Sequence, residues 1–206
     1  FLVRGESFKS NKWLLHSCRG LLLVIANMCF YVGLAGLPLA EASAIVFLAP
    51  VFITIFAHYF LSERLNRNKI LAVFAGLLGM ILIVKPFGVT LEGSYIWPFL
   101  AALFYAGFIT MTRYISSTES AALMAITSNL SFIFASGLIG ISFGSGKFSG
   151  FQDAGFEFFF RAWAWPLPEH YLLLLLVGAL STAISISISV AYKRAKASTL
   201  APFEYS

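Results

Sequence analysis

The chain has 206 residues, of which 59% are hydrophobic and only 11% charged, with a mean hydropathy of +0.86. A soluble domain carries about 25% charged residues, and one of this size has no core large enough to hide so much apolar surface, so a water-soluble globule is excluded. The formal charge of +5 and the pI near 9.3 would suit nucleic acid in a soluble protein. Here the basic residues fall between apolar runs, so their role is topological.

A spanning helix needs roughly 20 mostly apolar residues. Six stretches supply them: Leu14–Leu37, Ala40–Leu61, Lys69–Phe87, Tyr95–Thr112, Ala121–Phe143 and Tyr171–Tyr192. The third is the tightest, because only Ile70 to Val84 lies between Lys69 and Lys85, and both cations must snorkel outward. Phe1–Arg4 reads as the last residues of an earlier helix, and Ala197–Ser206 as the first half of a later one. The chain opens on Phe1 and stops inside an apolar pattern, so it is expected to be part of a longer protein. Cys18 and Cys29 share the first span, eleven residues apart. At helical rise that is about 16 Å, too far for a disulfide, and both are expected to be small packing residues.

The cations orient the bundle. With the Arg4–Arg19 segment in the cytoplasm, the inside segments hold Arg4, Lys9, Lys12, Arg19, Arg64, Arg67, Lys69, Arg113, Lys193, Arg194 and Lys196, and the outside ones only Lys85, Lys147 and Arg161. A wrong span count would scramble this asymmetry, so the positive-inside rule supports both the spans and their direction. His16 and His58 fall near inner ends and are expected at the interface. Glu63-Arg64 at an inner helix end reads as a solvated cap or ion pair.

The one long connection, Gly144–His170, lies outside. It holds Phe156, Phe158, Phe159, Phe160, Trp163 and Trp165 and is closed by Pro166 and Pro168. Aromatic rings favour the headgroup level, and the spacing predicts a short helix in the outer interface around Asp153–Trp163. The competing reading is a re-entrant lid over an outer vestibule.

Enzyme signals are missing: no Gly-rich phosphate loop precedes a helix, there is no His-Glu-x-x-His or Gly-x-Ser-x-Gly, and no aspartate falls inside a span. No metal-ligand spacing surrounds the cysteines. No cofactor or metal is expected.

Two segments resemble each other: Ala40-Glu41-Ala42-Ser43-Ala44-Ile45 and Ala195-Lys196-Ala197-Ser198-Thr199-Leu200. Each follows a polar break, opens a helix and is followed by a proline, Pro50 and Pro202. Counting from the first of the helices they open to the second advances five spans, an odd number, so these helices run in opposite directions. That is the mark of an inverted repeat, the architecture of secondary transporters with a site near mid-bilayer.

Leu37-Pro38-Leu39-Ala40-Glu41-Ala42-Ser43-Ala44, Ala49-Pro50, Ser62-Glu63-Arg64-Leu65 and Gly76-Leu77-Leu78-Gly79-Met80-Ile81-Leu82-Ile83, in that order, resemble the EamA module of the drug/metabolite transporter superfamily. Ala191-Tyr192-Lys193-Arg194-Ala195-Lys196-Ala197-Ser198 and Ala201-Pro202-Phe203-Glu204-Tyr205 are similar to the same region of a second module. The resemblance implies ten helices in two inverted five-helix repeats, with both termini cytoplasmic. Residues 1–88 would then be the C-terminal part of the first repeat, from the end of helix 2 to helix 5. Residues 89–206 would be the N-terminal part of the second, helices 6 to 8 and the start of helix 9. The outer loop 144–170 is longer than is usual in the family.

Glu204 lies eight residues past Lys196, about 12 Å into the bilayer. An ionisable group at that depth is a functional candidate: a proton- or cation-sensing group beside the substrate, or a carboxyl paired with another helix or wetted by an inner vestibule. Tyr205 adjoins it. Pro50, ten residues into its predicted helix, frees a backbone carbonyl and is expected to kink the helix near mid-membrane. Asn27 and Tyr31 share a helix face. Ser181, Ser185 and Ser189 form a second polar stripe, and Thr127, Ser128, Asn129 and Ser131 a third cluster. Such groups bond between helices or back to their own backbone, or line a pathway. The cavity candidates are Asn27, Tyr31, Pro50, Asn129, Ser185, Glu204 and Tyr205. Gly76–Gly79, Ala72–Gly76 and Gly137–Gly140–Gly144 read as close helix contacts.

The fold expected is thus an all-α polytopic helical bundle. The function expected is secondary transport of small organic metabolites or drugs across the inner (plasma) membrane by alternating access. A channel, a non-transport subunit and an intramembrane enzyme are the alternatives. The partners are lipid, a small-molecule substrate and a coupled proton or cation, with a homodimer left open and no nucleic acid.

Overall fold

The computed structural model describes residues 10–84 and 93–205. Their regular structure is helical, with no strand among the described residues. The helices are α1 (Trp13–Gly36), α2 (Leu39–Val46), α3 (Ala49–Leu61), α4 (Arg67–Val84), α5 (Ile96–Ile115), α6 (Ala121–Phe143), α7 (Ala154–Phe160), α8 (Tyr171–Arg194) and α9 (Ala197–Leu200). Short 3-10 turns at Gly93–Tyr95 and Pro168–His170 lead into α5 and α8, and one at Ala201–Tyr205 continues α9.

Local chemistry sets the ends. Pro38 disfavours helical geometry in the residue before it, and Leu37 is accordingly extended at φ −131°, ψ 150°. Ser120 begins α6 by accepting from the Leu123 N–H at 3.1 Å, satisfying a donor that the first turn leaves free. Lys193 and Arg194 close α8, where cations face the negative end of the helix dipole. Ser62 ends α3 in the left-handed region at φ 52°, reversing the chain toward α4.

Among the described residues, five segments are long and apolar enough to cross a membrane: Trp13–Gly36, Leu39–Leu61, Gly93–Ile115, Ala121–Phe143 and Pro168–Arg194. The chain is a multi-pass membrane protein. The sixth expected span forms α4, 18 residues long and opening on Arg67 and Lys69. Its last expected residues, through Phe87, lie outside the described residues, as do Phe1–Arg4.

The expected helix Ala40–Leu61 is broken, not continuous. α2 ends at Val46, and a turn at Phe47–Leu48 starts α3, with Leu48 N donating to the Ile45 carbonyl at 3.0 Å. This relocates Pro50. It sits in the first turn of α3, where a missing N–H costs nothing, and the break precedes it.

α5 is the central helix, in contact with α1, α2, α3 and α8. Alanine makes this possible: Ala101, Ala102 and Ala106 are buried on α5, as are Ala57 of α3, Ala197 of α9 and Ala201 beyond it. Around them pack Ile53, Phe108, Ile109 and Tyr192. In lipid, close contact through small residues takes over from the hydrophobic effect as the packing force. α8 shows the other side of that rule. Only 6% of its most apolar window is buried, and Leu172 to Leu176 face outward, a surface that acyl chains solvate.

Candidate functional site

The functional geometry lies along the cleft between α1 and α6. Its outer half is a cavity of about 640 Å³. α1 supplies Val24, Asn27, Met28 and Tyr31, and α6 supplies Phe132, Ala135, Ser136 and Ile139. The roof is the end of α7 with the extended segment that follows it, Phe158 to Ala164. A second cavity of about 430 Å³ occupies the inner half, lined by His16, Ser17, Thr127 and Ser131 among others. Val24 and Ala135 line both, so these two side chains mark the waist between the halves.

The roof is fastened at both ends. Asp153 begins α7 by accepting from the Phe156 N–H at 3.0 Å. Glu157 Oε2 accepts from Gly150 N at 2.6 Å and Phe151 N at 2.9 Å, folding the preceding loop onto the helix. At Gly155 the helix meets α1 so closely that a Cβ would lie 2.5 Å from Val32 Cγ1. At the other end Trp163 N donates to the Gly144 carbonyl at 3.0 Å. The Trp163 ring rests on Gly140, where a Cβ would lie 2.7 Å from Cζ3. This corrects the expectation for the Gly140–Gly144 stripe: it seats an indole rather than a second spanning helix. The short helix expected around Asp153–Trp163 is present as Ala154–Phe160, placed over the cleft.

The inner half has a different chemistry. Arg19 is fully buried. Its guanidinium donates to the Thr112 hydroxyl at 3.2 Å, the Thr127 hydroxyl at 3.0 Å and the Met124 carbonyl, and lies 5.2 Å from the Phe108 ring centroid. These three oxygens and the ring face stand in for water around a cation taken out of it. His16, one turn earlier, is buried too. Its Nδ1 lies 3.2 Å from Thr127 Oγ1, and its Nε2 lies 3.3 Å from Glu119 Oε2. His16 is therefore an interior residue rather than an interfacial one, whereas His58 is exposed as expected. The sequence reading counted Arg19 among the loop cations and passed over Glu119. The available signal was an arginine inside a predicted span, which is costly unless it has a role.

A third cluster joins the inner ends of α3, α5, α8 and α9. Glu63, just past α3, accepts from Ala197 N at 3.1 Å and Ser198 N at 3.0 Å, and from the Ser198 hydroxyl. It therefore caps α9 from a distant part of the chain, satisfying first-turn donors with a charge of favourable sign. Arg113 Nε lies 3.8 Å from its carboxylate and the guanidinium donates to the Tyr192 carbonyl at 3.0 Å. Lys69 Nζ donates to the Ser198 hydroxyl at 2.7 Å. Glu63 is thus buried in an interhelical junction, not a solvated surface pair.

The sequence candidates divide among these places. Asn27 and Tyr31 line the outer cavity together. Pro50 is buried in the first turn of α3 and lines neither cavity. Glu204 is partly buried and accepts from the Tyr192 hydroxyl at 2.7 Å and the Tyr105 hydroxyl at 3.1 Å. It is a paired carboxyl away from both cavities. Asn129 donates to Thr182 at 3.3 Å and the Ser185 carbonyl accepts from Ser189, so these two belong to the α6 and α8 faces. Tyr205 ends the last 3-10 turn, and its side chain lies outside the described residues.

Residues 1–85 match the model of the EamA-like transporter family. The match spans 85 of the chain's 206 residues and supports the EamA-type resemblance read from the sequence. The relatives that this chain resembles are named as transporters, not enzymes. A riboflavin transporter of Brucella anthropi is 25% identical over 212 residues, covering 98% of this chain and 68% of that protein. The pseudopaline exporter CntI of Pseudomonas aeruginosa is 32% identical over 100 residues, 48% of this chain and 35% of the exporter. An S-adenosylmethionine uptake transporter of Rickettsia conorii is 22% identical over 200 residues, 97% of this chain and 62% of that protein. The chain thus spans about a third to two thirds of the length of these relatives. A solved crystal structure superposes with a TM-score of 0.72 at 19% identity, covering 99% of this chain and 68% of its own, a likeness of fold.

Proposed function

We propose that this chain forms the middle of a secondary transporter that carries small organic molecules across the inner (plasma) membrane by alternating access. The observation that carries the proposal is the α1–α6 cleft, a roofed outer cavity and an inner cavity that meet at Val24 and Ala135. A carrier needs a binding space whose two ends can open in turn. The likeness between the residues of α2 and those that lead into α9 supports two inverted repeats related by a pseudo-two-fold axis. Residues 1–88 and 89–206 are then parts of those repeats, within a ten-helix whole. Glu63 capping α9 is a closure at the inner end, joining the two repeats.

Coupling to a proton or cation belongs in this scheme to Glu204, the carboxylate held by Tyr105 and Tyr192. Its role is separable from substrate binding, because it does not line the cleft.

The test is counterflow with the full-length protein in proteoliposomes, using the relatives' solutes riboflavin and S-adenosylmethionine as probes. A carrier loaded with unlabelled solute transiently accumulates labelled solute, and a channel does not. Leak without accumulation defeats the carrier reading. Glu204→Gln should keep counterflow while losing the pH dependence of net uptake. Unchanged pH dependence removes Glu204 from coupling.

A further inference from the structure

We propose that the outer cavity takes a planar aromatic heterocycle, neutral or anionic, that presents acceptor atoms at its edge. This rests on the transport reading and adds a substrate class to it.

Size comes first. A cavity of about 640 Å³ falls in the range that encloses a molecule of a few fused rings. The wall chemistry is more selective. Tyr31 and Phe132 stand on the two helices, and Phe158, Phe159 and Trp163 come down from the roof. Tyr31 and Phe158 already face each other, with centroids 6.0 Å apart and planes 25° from parallel. A flat ring between them needs two contacts of about 3.5 Å each. Lifting the roof away from α1 widens this gap and admits one. A sugar or an aliphatic chain gains nothing from that slot, whereas a flat π-system gains stacking on both faces.

The polar groups set the charge. Asn27, Ser136 and Arg161 line the space, and among the described residues no carboxylate does. Aromatic boxes also recruit cations, but here the protein supplies its own: the Arg161 guanidinium lies 4.9 Å from the Phe158 centroid. A second cation beside it meets repulsion in a space that screens poorly. Ring carbonyls, ring nitrogens or a carboxylate meet a donor instead. Asn27 Nδ2 donates to the Leu23 carbonyl at 3.0 Å, which leaves its oxygen free for an N–H of the ligand.

An interfacial aromatic belt would also place rings in this loop. Trp165 is such a ring, 92% exposed. Trp163, two residues earlier and 54% exposed, lays one side of its ring on the bare backbone of Gly140, and Tyr31 comes from a spanning helix rather than the loop. A belt requires neither.

The experiment is equilibrium binding to the full-length protein in lipid nanodiscs. The probes are riboflavin, lumichrome (its ring system without the side chain), ribitol (the side chain without the rings) and cationic S-adenosylmethionine. Riboflavin and lumichrome should bind saturably and compete with each other, while ribitol and S-adenosylmethionine should not displace them. Tyr31→Ala should weaken binding about tenfold, the loss of one stacked face, and Tyr31→Phe should bind as wild type. Arg161→Glu should weaken the rings and admit S-adenosylmethionine. No saturable binding by either ring compound, displacement by ribitol, or indifference to Tyr31→Ala overturns the proposal. Ring binding without counterflow would break the transport reading alone. Counterflow of S-adenosylmethionine with no ring binding would break the substrate class and leave transport standing.

Discussion

The two halves of the α1–α6 cleft are lined by the same pair of helices and differ in almost every physical respect. In the outer half, Tyr31 is about half exposed, the roof is a short helix and an extended loop segment, and most contacts are between rings. In the inner half, Arg19 and His16 are buried and held by directed bonds to Thr112, Thr127 and Met124. Ring contacts are weakly directional, and a pair is worth about 0.5–1.5 kcal/mol beyond burial. They can be remade with a ligand in place of a neighbour. A buried cation with three oxygen partners cannot exchange them cheaply, because losing any one strands a charge. One helix pair thus carries an adaptable end and a fixed end, an arrangement in keeping with the alternating access proposed above.

The largest effect that would break this comparison comes from Arg19. Arg19→Ala removes the cation and leaves the oxygens around it without their donor. The expected loss is about 1–3 kcal/mol of stability, the cost of buried neutral acceptors left without their donor, read as a fall in the thermal unfolding midpoint of the full-length protein in nanodiscs. Arg19→Lys should recover only part, since an ammonium cannot present the planar fork that reaches Thr112, Thr127 and Met124 together. An Arg19→Ala protein that melts with wild type would show that the inner half is not the fixed end.

Next is the junction at the inner end. Glu63→Ala deletes a carboxylate that caps α9 across the fold, and about 1–2 kcal/mol should be lost. Glu63→Gln keeps an acceptor oxygen and should lose less. Equal losses would mean that charge opposite the helix dipole and Arg113, rather than hydrogen bonding, fixes α9.

In the outer half the expected effect is smaller and local. Gly140→Val forces the Trp163 ring off its seat. The indole is the far end of a movable side chain, so stability should fall by only about 1 kcal/mol, the low end for overpacking. With Trp13, Trp97 and Trp165 replaced by Phe, the emission of Trp163 should shift to the red as the ring meets water or headgroups. A loss as large as that of Arg19→Ala would erase the distinction between the halves.

Legibility in the sequence followed the same division. The spans were readable because lipid demands long apolar runs, and Trp13–Gly36 and Ala121–Phe143 lie within a residue of their expected limits. Asn27 and Tyr31 share a cavity because helical spacing puts them on one face. The buried network was hidden by the rule that oriented the chain. Counting cations by side treats each as a loop charge, so Arg19 entered the tally and left the site list. Glu63 was misjudged for a related reason: its partners Ala197 and Ser198 are more than 130 residues away, and no local pattern announces such a cap. The break before Pro50 was missed because Phe47 and Leu48 are as apolar as their neighbours, and composition does not register a turn without polar residues.

The weakest link tested is the bond from Asn129 to Thr182 at 3.3 Å, which ties α6 to the outward-facing α8. Hydrogen bonds between membrane helices average about 0.6 kcal/mol, because a helix separated in the bilayer finds other partners. Thr182 has one already, since its hydroxyl donates to the Gly178 carbonyl at 2.9 Å. Thr182→Val keeps the shape and removes the hydroxyl, so the expected loss is about 0.6 kcal/mol, with the ring binding proposed for the outer cavity unchanged. If binding weakens while stability holds, the Asn129 face communicates with the cavity on the other side of α6, and the adaptable region is wider than the cleft. If stability falls by several kcal/mol instead, α8 is fixed by this bond rather than by lipid and by its inner end, and the division between halves extends to a second helix pair.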